Sequence, residues 1–181
     1  ALPETKPQAA EDKPQESFGQ TLMGYKQVLR NGVFMAFVGM LSVMLLVYMQ
    51  MNTTLSVYLR DAHGVPAQGF GYILSLNASM VVLLQFWFTR RISKYPPMLM
   101  MALGTAFFAV GFSMYGFVSS YVLFLLAMVI ITIGEMIVTP VAQALAARFA
   151  PADMRGRYMA IYGFGWSIPN ALAPLAAGLV I

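Results

Sequence analysis

The sequence has no cysteine, one histidine (His63) and little charge, with Asp, Glu, Lys and Arg making up 10% of 181 residues. Lack of cysteine excludes disulfides, thiol catalysis and thiolate metal sites, and a single histidine excludes a His-rich metal centre. We therefore expect no metal and no organic cofactor. A soluble domain carries about a quarter charged residues. At 59% hydrophobic residues and a mean hydropathy of +0.70, this chain lacks the polar groups to cover a water-facing surface. The net charge is +4. Its basic residues lie between apolar runs, the pattern of a cytoplasmic membrane surface and not of a nucleic-acid-binding face. No basic n-region precedes an apolar h-region, so no signal peptide is read; the polar opening at Ala1 reads as a cut or processed end.

What the sequence has in quantity is long apolar runs. Five, at about 32–59, 69–89, 97–117, 121–147 and 157–181, each exceed the roughly 18 residues a spanning helix needs. None alternates with period two, which argues against strands. The expected fold is an all-α integral membrane protein with its bundle over 32–181. Residues 1–16 (ALPETKPQAAEDKPQE) cannot bury enough apolar surface to fold and read as a disordered cytoplasmic linker. Over 17–31, Phe18, Leu22, Tyr25 and Leu29 recur at helical spacing opposite Gln20, Lys26 and Gln27. That spacing predicts an amphipathic helix lying in the membrane interface. The last apolar run reaches Ile181 without a polar tail, so a further segment is expected in the parent protein.

The loops set an orientation. Lys26 and Arg30 precede the first run, Arg90, Arg91 and Lys94 follow the second, and Arg148, Asp153, Arg155 and Arg157 follow the fourth. The intervening loops hold Arg60 balanced by Asp61, and no charge around 118–120. Basic excess alternates with its absence, which places the N-terminus in the cytoplasm.

Glu135 is the sharpest feature, an ionisable residue near the middle of the fourth run. A lone carboxylate at a helix centre costs roughly 2.5–3.5 kcal/mol on insertion scales, so it is expected to face a bundle interior or a water-filled cavity. On a helical wheel Thr132, Glu135, Thr139 and Gln143 fall within a sector of about 80°. The functional reading is a proton-titrating or cation-pairing group, since burial disfavours the charged form of a carboxyl; the structural reading is a carboxyl hydrogen-bonded across helices. Pro140 removes a backbone hydrogen bond and crowds the Met136 carbonyl, so the helix should bend beside the acid. Gln50, Asn52, Thr53 and Thr54 in the first run, and Asn77 and Gln85 in the second, need polar partners and either line a cavity or join helices. Gly71, Ser75 and Ser79 form a small-residue stripe suited to close packing. Gly163, Gly165, Pro169, Pro174 and Gly178 punctuate the fifth run and should let it bend. Tyr162 and Trp166 share a face there, as a binding wall or as packing. Fifteen methionines make adaptable apolar surface. His63, beside Gly64 and Pro66, reads as a loop residue.

The layout resembles the major facilitator superfamily. That resemblance implies two six-helix halves joined by a cytoplasmic linker, with residues 1–30 as the linker, the five runs as the seventh to eleventh helices, and the twelfth absent. The loop RRISKYPP (Arg90 to Pro97) sits where the second-half copy of the family's loop motif belongs, without its Gly-x-x-x-Asp. GEMIVTP (Gly134 to Pro140) and AARFAPADMRGRYMAIYGFGW (Ala146 to Trp166) are similar to strings in bacterial multidrug-efflux members. Proton-coupled peptide symporters also carry a Gly-Glu pair on the tenth helix. The resemblance thus implies a proton-coupled efflux antiporter for hydrophobic or cationic small molecules, in a bacterial inner membrane. It implies Glu135 as the coupling or substrate-pairing acid, with Thr132, Thr139, Gln143, Asn77, Gln50 and Trp166 as candidate cavity liners. Pro140, Pro169 and Pro174 are the candidate bending points. The implied partners are the lipid bilayer, the missing N-terminal half and the solute. A sugar or peptide importer, and a non-transporting membrane enzyme or scaffold, are the alternatives. An enzyme needs several reactive groups converging, and the runs offer one acid, so the chain reads as a non-enzyme.

Overall fold

The computed structural model describes residues 17–180. They form seven helices and no strand: α1 (Phe18–Arg30), α2 (Gly32–Met49), α3 (Thr54–His63), α4 (Ala67–Ile92), α5 (Pro97–Phe117), α6 (Tyr121–Phe149) and α7 (Arg155–Val180). The expected linker over 1–16 and residue Ile181 lie outside the described residues. Four stretches, Gly32–His63, Ala67–Ile92, Pro97–Phe117 and Tyr121–Phe149, are long and apolar enough to cross a membrane. The fifth run coincides with α7, whose 26 residues are about 39 Å long.

α1 occupies the stretch expected to be an amphipathic helix. The Gln20 side chain accepts the Ser17 N–H at 2.9 Å and closes its first turn. Gly24 and Val28 are buried, while Phe18, Leu22 and Leu29 are exposed. The helix sits on α7 because residue 24 has no side chain: a Cβ there would come 2.5 Å from the Arg157 guanidinium carbon. Asn31 then starts α2, its Oδ1 accepting the Phe34 N–H at 3.2 Å and its Nδ2 donating to the Tyr158 hydroxyl at 2.9 Å.

The first apolar run lies within one candidate span, Gly32–His63, which carries a tightened turn between α2 and α3. The N–H groups of Gln50, Met51, Asn52 and Thr53 each bond three residues back, and that of Leu55 reaches the Gln50 carbonyl. This tightened turn is held by side chains. The hydroxyls of Thr53 and Thr54 donate to Gln50 Oε1, and Gln50 Nε2 lies 3.5 Å from the Ala173 carbonyl of α7. α3 ends at Gly64, whose φ of 65° permits the left-handed cap in which Gly64 and Val65 donate back to Arg60 and Leu59. His63 is the last residue of α3 and not a loop residue. Its ring packs edge-on to Phe124, centroids 4.9 Å apart, and its Nε2 is 3.2 Å from the Tyr58 hydroxyl.

α6 is the central helix, packed by α5, α4 and α7. Its contact with α5 is made by glycines. A Cβ on Gly104 would lie 2.5 Å from Val138 Cγ2, one on Gly111 2.5 Å from Ile131 Cγ1, and one on Gly134 2.8 Å from the Gly104 carbonyl oxygen. Close backbone approach of this kind suits helices that meet in lipid. Gly165 similarly admits α2 to α7, with Val38 Cγ1 3.0 Å from its ideal Cβ. The stripe expected to pack, Gly71, Ser75 and Ser79, is exposed on α4, and nothing lies within 4 Å of a Cβ at Gly71. The face of α4 turned to the bundle carries Ile73, Asn77 and Gln85 instead. Large apolar side chains cover the outside, Val82 and Phe117 being 82% and 89% exposed, as on a surface whose solvent is lipid.

Candidate functional site

Glu135 lies midway along α6, about 21 Å from either end at 1.5 Å per residue. Gly134, directly before it, brings α6 against α5, which fixes the height and turn of the acid relative to the bundle. Asn77 on α4 faces it. The Asn77 Nδ2 donates to Glu135 Oε2 at 2.8 Å and to Thr132 Oγ1 at 3.0 Å, so both hydrogens of the amide are used. Thr132 in turn donates to the Met128 carbonyl at 2.7 Å. The Tyr48 hydroxyl, from the end of α2, is within hydrogen-bonding reach of the same carboxyl. Among the described residues Glu135 forms no ion pair; an amide and a phenol surround it, supplied by two other helices.

The stripe read from the wheel is graded in depth. Thr132 is fully buried, Glu135 and Thr139 are half-buried, and Gln143 is exposed. It runs from the packed interior, past the acid, to the surface nearer the basic end. Structure therefore brings Thr132, Glu135 and Asn77 together. Gln50 is engaged at the α2–α3 turn. Trp166 is half-buried against the main core, one turn from Tyr162 on α7. Tyr48 was not singled out in the sequence. The signal was available: a phenol deep in an apolar run needs a polar partner.

Pro140 lies five residues past the acid, and α6 continues through it. Proline has no N–H, so the Met136 carbonyl loses its donor from one turn ahead. Gln85 of α4 supplies the replacement: its Nε2 donates to the Met136 carbonyl at 3.1 Å and to Thr89 Oγ1 at 3.0 Å. α7 has a weaker counterpart, in which the one hydroxyl hydrogen of Ser42 is shared with the Val38 carbonyl 2.8 Å away. Pro169 frees the Gly165 carbonyl, and the Ser42 hydroxyl of α2 lies 3.1 Å from it. α7 too runs unbroken through Pro169 and Pro174.

α6 is thus a central helix with a half-buried, mid-span carboxyl, glycine-packed against its neighbour α5. The sequence pattern of the Major Facilitator Superfamily matches residues 1–174. The chain belongs to that superfamily. It is a multi-pass membrane protein, in keeping with its long apolar helices.

Its relatives include a Na(+), Li(+), K(+)/H(+) antiporter of Planococcus maritimus, 26% identical over 84% of this chain and 39% of that protein. The uncharacterized superfamily transporter YttB of Bacillus subtilis is 30% identical over 75% of this chain and 34% of its own length. YdeE of Escherichia coli, also uncharacterized, is 32% identical over 60% of the chain and 28% of its length. The chain thus spans well under half the length of these superfamily members.

Proposed function

We propose that the chain is the second-half bundle of a proton-coupled antiporter that exports cationic or hydrophobic small molecules by alternating access. The observation that carries this reading is Glu135, a mid-span carboxyl held by Asn77, with the Tyr48 phenol nearby, and joined to no cation among the described residues. A carboxylate removed from water is stabilised by a proton or by a bound cation. One carboxyl cannot hold both at once, and that competition exchanges one for the other across the membrane. Asn77 and Tyr48 orient the carboxyl and supply donors while it is charged. The stripe through Thr139 to Gln143 gives the solute a polar track to the basic end. The proposed cycle needs no metal and no organic cofactor, drawing on the proton gradient. Its moving parts are this bundle and an N-terminal half, rocking about a midplane site. We place it in a bacterial inner membrane with the N-terminus cytoplasmic, because Lys26, Arg30, Arg90, Arg91, Lys94, Arg148, Arg155 and Arg157 gather at one end.

The relative named as an alkali-cation/proton antiporter favours a second reading, in which the solute is a small monovalent cation. One experiment separates the two. Everted vesicles carrying the intact transporter are given Na+, Li+, K+ or tetraphenylphosphonium, and proton release is followed by dye fluorescence for the wild type and Glu135→Gln. The efflux reading expects a response to tetraphenylphosphonium, the second reading a response to the alkali cations. Either response should vanish in a folded Glu135→Gln protein. Unchanged proton release in that variant makes Glu135 structural and moves coupling to the other half.

A further inference from the structure

We infer that Gln85 is a positioning residue for the transport cycle: it holds the bend point of α6 at Met136–Pro140 from the same helix, α4, that holds Glu135 through Asn77. This rests on the reading of Glu135 as the coupling acid. Asn77 and Gln85 stand eight residues apart on one helix and bond to Glu135 and Met136, which are adjacent on the other. Asn77 also bonds Thr132, and Tyr121 of α6 donates to the Gly69 carbonyl of α4; among these polar attachments one reaches the acid and one the carbonyl that Pro140 leaves open.

Those attachments differ in kind from the rest of α6. A backbone hydrogen bond of an intact helix opens only when the helix unwinds. The bond at Met136 is made by a side chain of another element and opens when α4 and α6 slide past each other. Space for such movement is present. A cavity of about 150 Å³ lies directly beside this point, lined by Thr89 of α4, Pro97 of α5, and Pro140, Val141, Ala144 and Leu145 of α6. Thr89 is the second acceptor of the Gln85 amide, so the latch forms part of the cavity wall. When Glu135 exchanges its charge partner, the Asn77 bond is made or lost. That loads α4 against α6, and Gln85 passes the displacement to the one turn of α6 that lacks a backbone bond. Above this point α6 is seated on α5 through Gly111 and Gly134. The segment after Pro140 borders the cavity and is held by packing alone, Val141 and Leu145 lying with Ile92 of α4 and Met100 of α5, so it follows α4 when α4 moves.

The test is a double-mutant cycle in the intact transporter: wild type, Gln85→Leu, Pro140→Ala and the pair. Pro140→Ala restores an N–H to the Met136 carbonyl, so Gln85 should then have nothing to do. Turnover of solute-dependent proton movement is read with Na+ and tetraphenylphosphonium. Hydrogen exchange over residues 136–149, which needs no solute, is read on the same proteins. We expect Gln85→Leu to lower turnover about tenfold with little change in KM, and to speed exchange after Pro140, because one buried carbonyl is left unpaired. In the Pro140→Ala background the same change should alter neither. Equal effects of Gln85→Leu in both backgrounds would overturn the inference. So would a loss of thermal stability with turnover and exchange unchanged, which marks Gln85 as packing only. Because the cycle does not alter residue 135, failure of this inference and failure of the Glu135 reading are told apart.

Discussion

Asn77 is the residue on which the site turns. Its amide hydrogens are divided between Glu135 and Thr132, and no other side chain bonds both. Asn77→Leu therefore leaves two acceptors short of a donor. A loss of about 1–3 kcal/mol of stability is expected, together with a fall in solute-dependent proton movement. Tyr48→Phe removes one hydroxyl and should cost less, about 1 kcal/mol. Thermal unfolding of the two detergent-solubilised variants ranks them, and a larger loss for Tyr48→Phe would make the phenol, not the amide, the main support of the acid. The amide was legible in the sequence as a polar group in need of a partner. Its choice of Glu135 was not, because nothing in the spacing of either run says which helices touch.

Among the elements, α5 and α6 show why small residues must be read in three dimensions. Gly71, Ser75 and Ser79 repeat at an inviting interval yet face outward, while Gly104, Gly111 and Gly134 make the close contact. Spacing identifies a stripe on a helix; it does not identify the side on which a neighbour will arrive. Gly134→Val should push α5 away, since the nearest obstacle is the Gly104 backbone oxygen and not a movable side chain. Overpacking of this kind costs about 1–3 kcal/mol. Gly163→Ala, where nothing lies within 4 Å, should be neutral or gain up to about 1 kcal/mol from helix propensity. Thermal unfolding of the two proteins compares them directly; equal destabilisation would mean that the α5–α6 approach is not what residue 134 protects. The α2–α3 turn is a related case. Gln50, Thr53 and Thr54 are polar groups within one apolar run, and their local bonds to one another hold the tightened turn inside it.

On the scale of the whole molecule, one end of the bundle carries nearly all the charge. The absence of native cysteine from this chain makes the orientation easy to test. Ser93→Cys and Ala152→Cys should react with a membrane-impermeant maleimide only in everted vesicles, and Ser119→Cys only in intact cells. The reverse pattern would place the basic loops outside and overturn the assignment from charge. The relatives named above are more than twice the length of this chain, and the cycle proposed for it takes a second body for the bundle to move against.

By itself the sequence determined the helices, their approximate ends, the lipid-like surface and the single acid in the middle of a span. These follow from local quantities, apolar periodicity and the cost of burying charge, which each segment carries whatever its neighbours. Only the tertiary structure decided that Asn77 would hold Glu135 and that Gln85 would fill the bond Pro140 removes. Those outcomes depend on how closely two backbones approach and in what rotation. Glycines set that approach between α5 and α6 and between α2 and α7, by leaving empty the space a neighbour fills; between α4 and α6 it is bridged by the amides of Asn77 and Gln85.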